Sequence, residues 1–280
     1  MPALAYIRGR LYPIEKAYKI HVEDRGYQYA DAVYESIRYE KGKIIRIYDH
    51  LERLKRSLNM LQISFEFNFE EMKLLLEKIA VKTGYDRVLL YLQISRGVAR
   101  REHPFPPICI PELVITARKF KPIPAKTRKK GVKCITHPDE RWDRVDIKTV
   151  NLLANVLARE RARKKGVRDS ILFREDLEVT EASSANLFMV KDGAIYTPPL
   201  NGILEGVTRK EVKEIALNLK INFYEEYIYL QDIFLADEVF LSGTSIDILP
   251  VVEIDGFKIG SGKPGKVFWK VYEELIKSRN

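Results

Sequence analysis

Four short segments carry residue types that could do chemistry together. Lys148, in DIKTVNLLANVLA, stands after the strand-like RVDI and just before a helical pattern. A lysine amine attacks carbonyl carbon once it sheds its proton, and partial burial beside other cations eases that loss. Glu181, in EVTEASSANLFMVKDGAIYTP, precedes a cluster of small residues and then an apolar strand. A carboxylate placed there can hold a protonated ring nitrogen. NGILEGVTRKEVKEIA sends a glycine-containing turn into a helix. The first backbone N–H groups of such a helix, here those of Val207 and Thr208, lack partners and bind phosphate. SGTSID, Ser242 to Asp247, is a second cluster of short polar groups. In YDHLERLKRS, His50 and Arg53 are three apart and share a helix face. An inward arginine there can grip a phosphate through two donors. Taken singly, each segment also reads as ordinary structure: a solvated lysine, a capped turn, a plain helix start, a surface arginine.

Strand and helix patterns alternate around these segments. LAYIRGRLY and AYKIHVE read as strands, and VYESIRYEKGKIIRIY as two strands about a Lys41-Gly42 turn. Asp49 reads as the cap of HLERLKRSLNML, and FEEMKLLLEKIAVKTG as a second helix ended by Gly84. RVLLYLQIS and ELVITAR are strands separated by the polar, proline-containing RGVARREHPFPP. KFKPIPAKTRKKG reads as a linker. Beyond it, GVKCITH, DSILFRE, NLFMVKDGAIYTP and EVFLSG read as strands or hairpins. TVNLLANVLARERARKKG, TRKEVKEIALNLK and KVFWKVYEELIKS read as helices, the first closed by Gly166. The class is α+β with two domains: a smaller one over 1–120, a linker over 121–133 and a larger one over 134–280.

The 280 residues suffice for such a pair, and 46% hydrophobic content can fill their cores. No apolar run approaches the roughly 18 residues of a membrane helix. The opening MPALAYIRGRLYP has neither a signal core nor a small-residue cleavage site, so a cytoplasmic protein with no membrane partner is expected. Net charge is +9, but the cations are interleaved with glutamate and no recognition motif accompanies them, which speaks against nucleic acid. Cys109 and Cys134 lie in apolar runs with no CxxC or Cys/His cluster. They read as small buried hydrophobes, and no metal site is expected.

Together the segments resemble one family, the class IV (fold type IV) aminotransferases that depend on pyridoxal 5′-phosphate (PLP). The resemblance runs from EDRGYQYADAVYESIR near residue 23 to PVVEIDG near residue 250. It implies a D-amino-acid aminotransferase-like fold. It implies that Lys148 is the lysine that carries PLP and Glu181 the partner of the pyridine nitrogen. Arg53 becomes the phosphate arginine, and Val207, Thr208 and Thr244 the other phosphate-binding positions. Leu204 becomes the residue that packs on the cofactor ring. The reaction implied is ping-pong transamination between an amino acid and a 2-oxo acid, by way of pyridoxamine phosphate.

Within the family, D-amino-acid transaminases are most similar. DRGYQYADAVYE nearly repeats their DRGYQFGDGVYE pattern, and QISRGVARREHPFP resembles the loop whose Arg and His bind the substrate carboxylate. By that resemblance Arg101 and His103 are those residues, Tyr34 is the third member of the site, and the active site is shared across a homodimer. Arg38 and Ser242-Gly243-Thr244 lean instead toward the branched-chain (L) aminotransferases, while Gln93 and Ser36 depart from that subgroup. A branched-chain enzyme is therefore the alternative, with aminodeoxychorismate lyase behind it. Outside catalysis, the alternative is a PLP-fold protein that only binds; Lys148, Glu181 and Arg53 together speak against it.

Overall fold

A computed structural model describes residues 3–279, in two compact units. The first runs to Lys121 and takes back Ile147–Asn151; the second holds Pro122–Asp146 and the chain from Leu152 onward. The outermost ends of the expected domains, residues 1, 2 and 280, lie outside the described residues.

The first unit is built on an antiparallel sheet. Its strands are β1 (Leu4–Ile7), β2 (Arg10–Pro13), β3 (Ala32–Glu40), β4 (Lys43–Ile44), β5 (Arg87–Ser95) and β6 (Glu112–Lys119), in the order β2-β1-β6-β5-β3-β4. Its helices are α1 (Arg25–Tyr29), α2 (Ile47–Met60) and α3 (Phe69–Lys82). Along β3, Val33, Ile37 and the carboxylate of Glu35 alternate into the interior. α2 covers them with a stripe of Ile47, His50, Leu51, Leu54 and Leu58 at helical spacing. Asn68 caps α3 by accepting from the N–H groups of Glu70 and Glu71 at 2.8 and 3.2 Å. Asp49 is not the cap of α2: the helix starts earlier, at Ile47, after a left-handed Arg46. Asp49 lies inside the first turn and pairs with Arg46 at 2.7 Å. AYKIHVE is not a strand either. Tyr18, Ile20 and Val22 alternate as a strand would, but they are exposed and find no sheet edge within the described residues.

The second unit carries a mixed sheet of β7 (Val132–Pro138), β8 (Asp169–Phe173), β9 (Val179–Ala182), β10 (Asn186–Lys191), β11 (Ala194–Thr197), β12 (Phe223–Glu225), β13 (Glu238–Gly243), β14 (Asp247–Ile254) and β15 (Phe257–Lys258). The order is β12-β11-β10-β13-β14-β7-β8-β9, with β15 on β14. Its helices are α4 (Ala125–Lys130), α5 (Leu153–Lys164), α6 (Val207–Asn218), α7 (Leu230–Phe234) and α8 (Lys266–Arg279). β10 is buried on both faces, so it reads as a continuous apolar run. Leu187 and Met189 enter one core; Phe188 and Val190 enter another, under α6 and α8.

The segment 121–133 reads as a linker in sequence but carries α4 and the start of β7. Arg128 is the reason: its guanidinium is buried and donates to the carbonyls of Ile246 and Ile248 at 2.9 and 3.1 Å. The helix expected from Thr149 begins only at Leu153. The preceding residues are held to β3, where Tyr34 N donates to Lys148 O at 2.9 Å and Val150 N to Ala32 O at 3.2 Å. These bonds tie Ile147–Asn151 to the first unit rather than to the 134–280 domain in which the sequence places it.

Phe188 is fully buried and stacks on Phe240 with ring centroids 4.9 Å apart. Phe188→Ala is expected to cost about 3–5 kcal/mol through lost burial and the cavity left behind. Urea unfolding monitored by circular dichroism checks this, and a loss under about 1 kcal/mol would contradict the packing described.

Candidate active site

In the first unit the pairing of Ile147–Asn151 with β3 aims Lys148 at Tyr34. The Lys148 Nζ lies 4.5 Å from the centre of the Tyr34 ring and 3.5 Å from its hydroxyl. Tyr34 stacks in turn on Tyr91, centroids 5.3 Å apart. Burial holds the Tyr91 phenol above its ordinary range, and its hydroxyl donates to Gln93 at 2.8 Å. Lys148 and Tyr34 are both half-buried, so the amine faces an aromatic wall rather than bulk water.

Arg53 lies behind β3. Its Nε and Nη2 donate to the two oxygens of Glu35 at 2.7 and 2.8 Å, and His50 Nδ1 meets Glu35 Oε2 at 2.7 Å. Burial by itself would raise the Glu35 carboxyl. The charge and hydrogen bonds of Arg53, then those of His50, outweigh it and hold the carboxyl well below the usual range. His50 is lowered, chiefly by burial, against the pull of Glu35.

Arg101 and His103 sit on an exposed loop. The Arg101 guanidinium lies 4.9 Å from the Tyr29 ring centre, and the His103 ring 5.7 Å from it. The loop is held by Arg25, whose Nη1 donates to Glu102 O at 2.7 Å and whose Nη2 donates to His103 O at 3.4 Å. Gly97 starts the loop at φ +105°, where an added Cβ would meet Ile110 O at 1.9 Å. A side chain is excluded there on both counts. Within the chain, then, Lys148 and Tyr34 are together, while Arg101 and His103 gather on Tyr29.

The second unit assembles the other candidates around Glu181, which is 4% exposed on β9. Arg141 donates to one Glu181 oxygen. Asn186 Nδ2 donates to the other at 3.0 Å and also to Leu204 O at 2.8 Å. Arg141 is itself clamped by Asp139, Nε at 2.8 Å and Nη2 at 2.7 Å, and Thr180 donates to Asp139 at 2.7 Å. Burial would lower the Arg141 guanidinium, but the Glu181 and Asp139 carboxylates outweigh it and raise it further. Gly206 opens α6 against Asn186; a Cβ there would lie 2.0 Å from Asn186 Oδ1. Asn186 pairs across the sheet with Ser242. Leu204, the α6 start at Val207 and Thr208, and the Ser242–Thr244 turn therefore share one neighbourhood.

This set fits a phosphorylated, ring-bearing cofactor. α6 begins without a side-chain cap and without an acidic residue in its first turn, as an anion site requires. The Ser242 hydroxyl is buried with no partner among the described residues. Among those residues no cluster of His, Cys, Asp or Glu could hold a metal, and no helix is long and apolar enough to cross a membrane. Cys134 is buried as expected, whereas Cys109 is half-exposed.

Glu35, Asp139, Arg141 and Asn186 are not singled out by the sequence reading. A charged residue on the inward phase of an apolar strand is the available signal for Glu35. ERWDR offers none for Arg141, since its pairing depends on a residue 40 positions away.

Comparison with known proteins settles the family. The model of the amino-transferase class IV family matches residues 32–254. A D-alanine aminotransferase of Staphylococcus haemolyticus is 38% identical, over 98% of each chain. One from Staphylococcus aureus (strain MSSA476) is 38% identical over 92% of each. Among solved structures, a branched-chain amino acid aminotransferase of Escherichia coli superposes with a TM-score of 0.93 at 25% identity, covering 99% of this chain and 94% of that one. A branched-chain enzyme of T.th., complexed with N-(5′-phosphopyridoxyl)-L-glutamate, gives 0.90 at 28% identity, with coverage of 99% and 94%. The chain belongs to the class IV aminotransferases, and its α+β architecture is the fold type IV that the resemblance implied.

The Glu35 cluster makes stability depend on pH. His50 and Glu35 both have folded pKa values below their unfolded ones, so the folded state binds fewer protons and loses stability as pH falls. The His50 part is fully present above about pH 6.5 and declines below it; the Glu35 part declines below about pH 4.3. His50→Gln is expected to flatten the fall in urea midpoint between about pH 7 and 5. A slope equal to that of the wild type would exclude His50 as its source.

Proposed function

We propose that this aminotransferase uses PLP to move the amino group of a D-amino acid to a 2-oxo acid, in two half-reactions. The geometric observation that carries the reading is the placement of Lys148 Nζ on Tyr34, 4.5 Å from the ring centre and 3.5 Å from the hydroxyl. The preference for D-amino acids rests on the D-alanine aminotransferases, which are 36–38% identical over nearly the whole chain, against 25–28% for the branched-chain structures.

PLP, when bound, supplies an electron sink for the carbanion formed at Cα. Lys148 carries the cofactor and, once displaced, moves the Cα proton through its Nζ. Glu181 partners the pyridine nitrogen, and Arg141 and Asn186 keep its carboxylate oriented. Val207, Thr208 and Thr244 bind the phosphate, the first two through the helix start, and Arg53 adds a charged contact. Leu204 packs on the ring. Tyr34, Arg101 and His103 bind the substrate carboxylate, the last two reaching in from the partner of a homodimer. Their exposure at the surface of a single chain supports that arrangement. In this reading the 1–120 part is the smaller domain, the 134–280 part supplies most cofactor contacts, and the enzyme works in the cytoplasm.

Lys148→Ala removes both the anchor and the proton carrier. It is expected to abolish the bound cofactor's visible absorption band and nearly all transamination. Turnover at a tenth of the wild-type rate would mean that another lysine holds the cofactor.

Handedness is tested by mixing the PLP form with single amino acids and following absorbance. D-alanine or D-glutamate is expected to react much faster than L-leucine or L-valine. Arg101→Ala is expected to raise KM for D-substrates about tenfold to a hundredfold, the equivalent of about 1.5–3 kcal/mol for a lost charged partner. Fast reaction of L-leucine with none of D-alanine would establish the branched-chain alternative instead, within the same family.

A further inference from the structure

The hairpin between β13 and β14 closes through Thr244, Ser245 and Ile246, with Asp247 paired to Gly243. Asp247 lies in the left-handed region at φ 59°. The left-handed region favours glycine, because a Cβ is a burden in that conformation. Aspartate tolerates that conformation better than most residues, and here its carboxylate is also turned inward to partners. Its carboxylate is 4% exposed. One oxygen is met by Arg279 of α8, the other by Arg128 Nη2 of α4 at 3.4 Å. Arg128 also grips the backbone on either side of Asp247, at the carbonyls of Ile246 and Ile248. Its guanidinium lies 4.5 Å from the centre of the Tyr272 ring, which fixes its plane.

Arg279 does more than meet Asp247. Its Nε donates to Glu211 Oε1 at 3.1 Å, and its Nη2 to the other oxygen. Glu211 is 5% exposed and belongs to α6, one turn inside the helix start. One rigid fork therefore spans two elements: the turn carrying Thr244, and the helix whose first amides belong to Val207 and Thr208. Buried ion pairs are poor devices for stability alone, since apolar residues of similar size do as well. They are good at fixing geometry.

We propose that Arg279 and Arg128 are positioning residues for the cofactor phosphate, acting through Asp247 and Glu211 to set the Thr244 turn against the first turn of α6. The inference rests on the phosphate site described under Proposed function. Neither arginine touches the phosphate. They hold the two donor-bearing segments at the separation a phosphate needs, so that binding does not have to draw the segments together.

The test uses the full chain stripped of cofactor, titrated separately with PLP and with pyridoxal, which lacks the phosphate. Fluorescence quenching gives both affinities, and thermal unfolding of the stripped protein reports folding. Arg279→Met is expected to weaken PLP by about tenfold or more while changing pyridoxal by less than about twofold. Asp247→Gly relieves the left-handed strain while removing the carboxylate. It is expected to unfold earlier than wild type, because Arg279 and Arg128 lose a buried partner, and, at temperatures where it is folded, to lose PLP affinity in the same selective way. It keeps the proposal testable if Arg279→Met does not fold. If folded variants keep wild-type PLP affinity, or lose PLP and pyridoxal affinity equally, the positioning role is overturned. Wild-type protein that binds PLP no more tightly than pyridoxal would instead overturn the phosphate site itself.

Discussion

A carboxylate taken out of water must be met by a cation, and each group of candidate residues is arranged around one such pair. Glu35, Glu181 and Asp247 are 0%, 4% and 4% exposed. Arg53, Arg141 and Arg279 close them. Breaking such a pair on one side strands a buried charge, at a cost of about 3–5 kcal/mol. That penalty makes the pairs selective joints. Glu35 on β3 accepts one placement of α2, the one that delivers Arg53 and His50 to it. Glu181 on β9 accepts only a chain path that brings Arg141 over it. The chain then reaches Lys148 seven residues later, already committed to its edge of β3.

These pairs also explain which features are legible in the sequence. Periodicity exposes α2, α3, α6 and α8, since each hides one apolar stripe on a sheet. β10 is legible as a strand, because burial on both faces leaves a continuous apolar run. Tyr18, Ile20 and Val22 show the limit. Their alternation is a strand's, but a strand needs a neighbour, and alternation does not say whether one is available. The short helix within 121–133 is hidden for a related reason. Prolines and lysines read as a connector, and nothing local reveals that Arg128 has carbonyl partners 118 and 120 residues away. Lys148 and Glu181 are proposed through their place in a family pattern, since alone each looks like ordinary surface or turn chemistry. Their supports, Arg141 and Asn186, become visible only through long-range geometry.

The start of α6 shows how backbone and side chains divide the work. Its amides are suited to an anion because a helix end leaves them unpartnered, which needs no particular side chain. Side chains decide where that end points. Gly206 permits the close approach to Asn186, and Asn186 binds both Glu181 and the carbonyl of Leu204. One amide side chain thus couples the carboxylate proposed for the ring nitrogen to the segment that leads into the proposed phosphate site. A shift of β10 would disturb both ends of a bound cofactor together.

The same division accounts for relatives that share a fold but differ in handedness. Lys148 is held by backbone bonds to β3, so in the proposed reaction the face from which it delivers a proton belongs to the architecture. With that face constant, exchanging the positions of the substrate's carboxylate and side chain exchanges D for L. The residues proposed to grip the carboxylate, Arg101 and His103, are not on β3. They ride on a loop shaped by Gly97 and held by Arg25 through backbone carbonyls, contacts indifferent to which side chains the loop displays. In the proposed reading, chemistry and stereochemical preference therefore rest on separate elements. A family built this way can keep its sheet and lysine while the loop changes. A chain 38% identical to D-alanine aminotransferases can then superpose on branched-chain enzymes with a TM-score of 0.93.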